Sequence, residues 1–368
     1  MTQHQASLQS LVGPLKRAVY PLSSRLIATA SLVDGDLKGG RGRFRCLFVH
    51  HSMLNRDLEQ RMYDGEPTVV RRRRVLIPTL RTMVERDPVD FDICVAVLPR
   101  GYERVFEGTR HFKGREEVRQ VIDTRGGWDV VRQRFSKKKR QTTNDFTERF
   151  GLSYRLSKDM ADFDLFYYRM HVPHIRRRYG ELAQIDSYEE TKKFFREGVL
   201  LFVTKNDEPV AGALSLVQGR SLVFRRTGVL DGDETVVRGG AQTALYYFQL
   251  KYAVDNGLSM VDTMKTAPFL NDGVFRHKAE WGARALPDHE AKKTVYWFTR
   301  GSAEGLARFF DVNPVVVDAG SRLVGIVGDP QGDAPMAEMQ RRFHTRGLHD
   351  LLVYSPAGTR TMPLAGEP

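Results

Sequence analysis

The stretch DTMKTAPFLNDGVFRHKAEWG, Asp262 to Gly282, holds three acids, three lysines or arginines and one histidine around a Pro/Asn/Asp/Gly break. Asp262, near the end of the apolar run SMVDTM, is the kind of group that takes a proton from an attacking amine or orients it. A strand-end carboxylate also serves as a cap, accepting from the amides that follow it. Lys265 suits a phosphate grip and equally a solvated surface. His277 could shuttle protons, but no carboxylate stands at metal-ligand spacing, so an exposed helical histidine is the expectation and no metal is assigned. Arg225 and Arg226, in SLVFRRTGVL, are expected on opposite faces of a strand, one holding an anion and the other facing solvent.

The elements that position these groups are legible in the same region. ADFDLFYYRM places Phe163, Phe166, Tyr167 and Met170 at i, i+3, i+4, i+7, the pattern of a one-sided helix limited by Pro173. Ser187 and Glu190 form a capping pattern ahead of a second helix that stops at Gly198. VLLFVTK, PVAGALSLVQ and SLVFRRTGVL read as strands joined by the tight turns NDE and GR, which predicts antiparallel neighbours. Leu245, Phe248 and Tyr252 mark a helix ending at Gly257, followed by the strand SMVDTM and, beyond the opening segment, the strand KKTVYWFTR.

The first region alternates strand candidates RFRCLFVH and FDICVAVL with a helix near PTLRTMVERD. The class is therefore α/β (α+β), with mixed sheets flanked by helices. VVRRRRVLI carries four arginines that alternate faces if the segment is a strand, so a solvated edge competes with an anion-binding role. The domain reading is an N-terminal lobe at 1–127, a basic connector helix at 128–150, a C-terminal lobe at 151–300 and a small α/β appendage at 301–368.

A chain of 368 residues with 41% apolar and 28% charged content is globular. No run reaches the length of a transmembrane span. Cys46 and Cys94 sit in apolar strand-like runs, which points to reduced thiols and a cytoplasmic setting. Lys16, Arg17 and Arg25 precede the first acid, Asp34, so an organellar transit peptide competes with a plain extension. The net charge is +12; from Gly301 onward six arginines face eight acids, which leaves +14 on the first 300 residues. Such a field attracts phosphates of nucleic acid, of nucleotide carriers or of an anionic surface. There is no G-x-S-x-G, H-E-x-x-H, C-x-x-C or P-loop motif, and KGGRGR, Lys38 to Arg43, is a basic loop.

In order along the chain, RQRFSKKKRQ with FGLSYRL, FDLFYYRMHVPHIRRRYG, GVLLFVTKNDEPVAGALSLVQG, and ALYYFQLKYAVDNGLSMVDT with GVFRHKAEWG resemble landmarks of the Fem-like branch of the GNAT acyltransferase superfamily. The resemblance covers Trp128 to Trp297 well and the first region loosely. It implies tandem GNAT-like lobes and a groove between splayed central strands where acyl donor and amine acceptor meet. It implies an N-acyltransferase that forms an amide with a coenzyme A thioester or an aminoacyl-tRNA as donor.

On that resemblance Asp262 points into the groove. One of Tyr246 and Tyr247 faces it as general acid to the leaving group, while the other packs on the sheet. Lys278 matches the lysine before the family's Trp-Gly, reaching a phosphate or the acyl carboxyl, or else snorkelling over Trp281. Arg238, Gly239 and Gly240 in VVRGGAQTA stand where coenzyme A users carry their pyrophosphate loop, with poorly kept spacing. Lys137, Lys138, Lys139 and Arg140 suit the backbone of a charged tRNA, or form a solvated face. The rival reading is a non-catalytic nucleic-acid or anionic-surface binding protein on a degenerate GNAT scaffold.

Overall fold

The computed structural model describes residues 26–39, 42–50, 52–86, 90–148 and 150–364. Lys16, Arg17 and Arg25, weighed above as a transit peptide, lie outside them, as does part of KGGRGR. Two compact units result: residues 1–118, 267–272 and 287–368, and residues 119–266 and 273–286.

The first unit begins with antiparallel β1 (Ile27–Asp36) and β2 (Arg43–Val49). Helix α1 (Met53–Met62) follows, then β3 (Thr68–Leu76), α2 (Leu80–Arg86), β4 (Ile93–Pro99), which runs parallel to β2, and the short β5 (Phe112–Gly114). Among the described residues β3 pairs with β1 alone and forms one edge of a ten-stranded sheet. Its arginines alternate as pleating requires: Arg72 lies opposite Ser31 and Arg74 opposite Thr29, while Arg71 and Arg73 oppose Leu32 and Ala30 on the other face.

The second unit is a seven-stranded sheet, and its strands follow the expected order. β6 (Val118–Asp123), α3 (Trp128–Gln133) and α4 (Lys137–Glu148) lead into β7 (Leu152–Ser157). The expected connector is thus two helices, and it belongs to this unit. Next come α5 (Met160–Asp164), a π-helical stretch (Leu165–His171), α6 (Val172–Tyr179) and α7 (Tyr188–Glu197), the last opening on the predicted Ser187/Glu190 capping box.

Phe163, Phe166, Tyr167 and Met170 are buried as their spacing predicts. Pro173 does not stop the helical path. It falls at the start of α6, where a missing N–H costs little, and the wider π turn delivers the chain to it.

The meander β8 (Gly198–Lys205), β9 (Glu208–Gln218) and β10 (Ser221–Val229) is antiparallel throughout. Asn206 and Asp207, both at positive φ (50° and 63°), make the two-residue turn that matches strand twist. α8 (Glu234–Arg238), α9 (Ala241–Asp255), β11 (Met260–Thr266), α10 (Gly273–Glu280) and β12 (Arg284–Leu286) complete the unit. The sheet order is β12-β6-β11-β10-β9-β8-β7.

The chain then returns to the first sheet. β13 (Lys293–Thr299) pairs with β4 and β5, so the strand KKTVYWFTR leaves the lobe in which the sequence placed it. α11 (Ala303–Val312), β14 (Val315–Ala319), β15 (Arg322–Gly328), α12 (Met336–Phe343), β16 (Leu348–Ser355) and β17 (Gly358–Pro363) follow. Residues 301–368 do not stand apart as an appendage. β14 hydrogen-bonds to β5, and β15 to β17 extend the same ten-stranded sheet to its other edge.

The π-helical stretch packs on the C-terminal end of β10. His171 Nδ1 meets the Thr227 carbonyl oxygen at 2.9 Å, and a Cβ on Gly228 would fall inside the Met170–His171 backbone. Neither backbone can retreat without breaking its own ladder. Gly228→Ala is expected to cost about 3 kcal/mol or more, read as a lowered urea midpoint.

Candidate active site

The centre of the second unit is the point where two parallel strands part. β10 and β11 pair over only three rungs, Ser221 with Met260, Leu222 with Val261 and Val223 with Asp262. Beyond Asp262 both strands turn. In β10 the register against β9 slips between Phe224 and Arg226, leaving Arg225 as a bulge. In β11 Met264 takes a left-handed conformation, φ 67°, which costs a non-glycine residue about 1 to 2 kcal/mol.

Lys278 holds that bend. It is 4% exposed, and its Nζ donates to the carbonyl oxygens of Met264 (3.1 Å) and Lys265 (3.2 Å). Both expected roles, reaching a ligand and snorkelling over Trp281, are therefore corrected: the ammonium is spent on two backbone carbonyls at the bend. The cation over Trp281 is Lys139, with Nζ 5.2 Å from the ring centroid and 3.5 Å from Glu280. Lys139 accordingly faces inward, not a polyanion, and burial lowers its pKa. Arg140 donates to the carbonyls of Gln133 and Phe135, which leaves Lys137 and Lys138 as the exposed members of that run.

Asp262 is buried at the last shared rung. Oδ1 accepts from the Met264 N–H at 2.8 Å, the capping contact anticipated for a strand-end carboxylate, and Oδ2 lies 3.5 Å from Arg119 Nη1 on β6. Gln120, fully buried beside it, organises the same corner. Its backbone carbonyl accepts from Thr263 Oγ1 and its side-chain oxygen from Thr266 Oγ1, while Nε2 donates to the Phe275 carbonyl. Arg119 and Gln120 went unread because their strand is remote in sequence, and VRQVID, half polar, carries no apolar period that marks them as buried.

The bulge overturns the expected separation of Arg225 and Arg226. Both guanidinium carbons sit over the Phe194 ring, at 5.1 and 5.6 Å, and both side chains are half-buried. One extra residue in the strand cancels the alternation that would have sent them apart. Arg226 pairs with Asp186 and donates to the Arg225 carbonyl, whereas Arg225 Nε is buried without a partner.

Tyr246 stacks on Trp281 (5.6 Å) and meets the rings of His277 (4.9 Å) and Phe224 (5.1 Å) edge-on; burial raises its pKa strongly. Tyr247 turns to Trp128 at 5.1 Å, and burial raises it too.

His277 is not an exposed helical histidine. It is mostly enclosed, its Nε2 accepts from Trp281 Nε1 at 3.3 Å, and burial, helped by the charges of Lys139, Arg178 and Lys278, depresses its pKa to about 4. The imidazole is therefore neutral when folded. The unfolded chain takes up a proton near pH 6.5 and the folded one only near 4, so stability falls as pH drops through that window and levels off below it. About 2 kcal/mol of loss between pH 7 and pH 4.5 is expected in urea titrations, and His277→Gln should flatten that slope.

Arg238 ends α8, and Gly239 and Gly240 join it to α9. Gly240, φ 89°, is its N-cap, and no side chain caps the helix, so the first-turn amides lack intrahelical acceptors. Arg238 is exposed and pairs with Glu234 at 3.1 Å; Arg177 of α6 lies 3.8 Å from the same carboxylate. Asp262, Lys265 and Lys278 are thus brought to one bend and Tyr246 to the aromatic cluster of α10, whereas Lys137 and Lys138 stay on the surface of α4. Among the described residues no group of three His, Cys, Asp or Glu could hold a metal, and no helix is long and apolar enough to cross a membrane.

No protein-family model and no curated protein matches the sequence. Among solved structures, FemX is 11% identical, with 73% of this chain and 84% of that chain covered at a TM-score of 0.39. L-PGS from Bacillus licheniformis is 10% identical with the same coverages and a TM-score of 0.36. The ribosomal-protein-S18-alanine N-acetyltransferase from Escherichia coli is 14% identical over 39% of this chain and 91% of that chain, at 0.26. The second unit is a mixed seven-stranded sheet flanked by helices, in which β10 and β11 part after three rungs.

Proposed function

We propose that the protein is an N-acyltransferase that moves an acyl or aminoacyl group from an activated carrier to an amine, forming an amide. The observation that carries this reading is the divergence of β10 and β11 directly after Asp262, where both strands bend at the same level. The acceptor nitrogen attacks the carrier's carbonyl carbon between them. The C–N bond forms, the carrier's C–S or C–O bond breaks, and the amine gives up a proton.

Asp262 Oδ2 orients that amine and draws its proton, directly or through a water, while Oδ1 keeps the Met264 turn. A peptide N–H released from the ladder by the Arg225 bulge meets the oxyanion. Tyr246, kept protonated by burial, returns a proton to the leaving thiolate or ribose oxygen. The open first turn of α9, flanked by Arg238 and the exposed Arg176–Arg178 run, suits the carrier's phosphates. Lys265 stands at the edge of the bend as a further phosphate grip.

The donor is a coenzyme A thioester or an aminoacyl-tRNA. Uncapped amides after a left-handed glycine favour the first; the exposed Lys137 and Lys138 with the basic body favour the second. Free, buried Cys46 and Cys94 support a reducing, cytoplasmic setting. Radiolabelled coenzyme A thioesters and charged tRNA pools, assayed side by side with mixed primary amines, test the reading. Label in an amide with one donor supports it, and inactivity with both overturns it.

A second reading, a non-catalytic binder of nucleic acid or an anionic surface, is favoured by the engagement of both Asp262 oxygens. Steeply salt-dependent RNA binding, unchanged by Asp262→Asn and without turnover, would select it.

A further inference from the structure

The two faces of the second unit's sheet are employed differently. Leu222, Phe224 and Val261 pack beneath α9, so Val223 and Asp262, which pair on the last shared rung, face the opposite side. Arg225 and Arg226 continue that side, because both guanidiniums sit over Phe194 of α7. Alternation alone gives Arg225 the facing of Val223, and the bulge adds Arg226 to it. Arg225 thus stands two residues beyond the rung of Asp262, about 7 Å along the strand, on the same face of the sheet.

The charges on that face do not balance. Arg226 is answered by Asp186, and Arg119 stands against Asp262. Among the described residues the Arg225 guanidinium has no carboxylate partner; its Nε is sealed against protein, so the part of this half-buried side chain open to a ligand is its Nη end. Two guanidiniums over one ring, answered by a single carboxylate, leave one positive charge uncompensated in a partly desolvated place. Such a charge costs free energy until an anion meets it.

We infer that Arg225 determines acceptor specificity: it takes the carboxylate of an amino acid whose amine lies at Asp262, so that the product is an N-acyl amino acid. This rests on the acyl-transfer reading and names its acceptor. The bond changes are those of acyl transfer, and the carboxylate only orients the amine. The carrier's phosphates do not compete for Arg225, since α9 packs on the other face of the sheet. A plain amine would leave the guanidinium unanswered. A phosphate monoester would bring nearly two negative charges to one positive, whereas a carboxylate brings one, and its two oxygens match the Nη pair end-on.

Initial rates on the full chain, with the donor that supports turnover, test it. Glycine, β-alanine and 4-aminobutyrate are compared with methylamine, ethylamine and propylamine, the same amines without the carboxylate, and with phosphoethanolamine. At least one carboxylate-bearing acceptor is preferred over its plain counterpart by about tenfold or more in kcat/KM. Arg225→Gln removes that preference, mainly through KM, and Arg225→Lys, which keeps the charge without the planar fork, retains only part of it. The inference is overturned, with acyl transfer intact, if plain amines serve as well as their carboxylate counterparts, if phosphoethanolamine is the best acceptor, or if Arg225→Gln keeps the preference. If no amine is acylated, the acyl-transfer reading falls, and ligand-observed NMR titration with the same amines decides the role of Arg225. Carboxylate amines that bind no better than plain ones, or equally well to Arg225→Gln, overturn it; about tenfold tighter binding that Arg225→Gln abolishes upholds it.

Discussion

Lys278→Met should lower the stability of the second unit by about 3 kcal/mol and abolish turnover even where the fold survives. The substitution keeps the length and apolar stem of the side chain, so the packing of α10 on the sheet is little changed. What disappears is the donor to two carbonyls, those of Met264 and Lys265, at a buried position. Each stranded carbonyl costs about 1 to 3 kcal/mol, and the left-handed Met264 loses its clamp. Because Met264 N–H is also the partner of Asp262 Oδ1, relaxation of the bend moves the carboxylate. A shifted urea midpoint with unchanged slope, alongside lost acyl transfer, is the expected result. A variant as stable as the wild type would show that the bend holds itself.

Asp262→Asn should reduce kcat by about a hundredfold or more while changing stability by less than about 1 kcal/mol. Asparagine retains an oxygen for the Met264 amide, so the turn persists; it removes the negative charge that draws the amine's proton and faces Arg119. The separation of the two readings lies in that contrast. Unchanged turnover would reduce Asp262 to the capping role its Oδ1 already plays.

Much of the second unit was legible because local signals and tertiary outcome agree. The Ser187–Glu190 box, the two tight turns of the meander and the Phe163–Met170 stripe each act through neighbours a few residues away. The order of strands followed from them.

What failed to show has a common physical cause: it depends on partners remote in sequence or on one-residue irregularities. No periodicity announces the bulge at Arg225, yet it reverses the facing of two arginines. Lys139, expected on a polyanion or a solvated face, takes the place over Trp281 expected of Lys278, because only the packed structure shows which ammonium reaches carbonyls and which reaches the ring. The mixed polarity around His277 predicts an exposed histidine, but Tyr246 arrives from α9 to cover it. Residues 301–368 read as a unit of their own because their strands are locally complete, and nothing local tells β14 that its neighbour is β5.

The central claim is that the acyl carrier enters between β10 and β11 beyond Asp262. Hydrogen exchange on the intact chain, with and without the donor that supports turnover, tests it most directly. Slowed exchange at Arg225 to Val229 and at Ala241 to Thr243, with the first unit unaffected, is the predicted result. Turnover with no protection in those two segments would contradict the account.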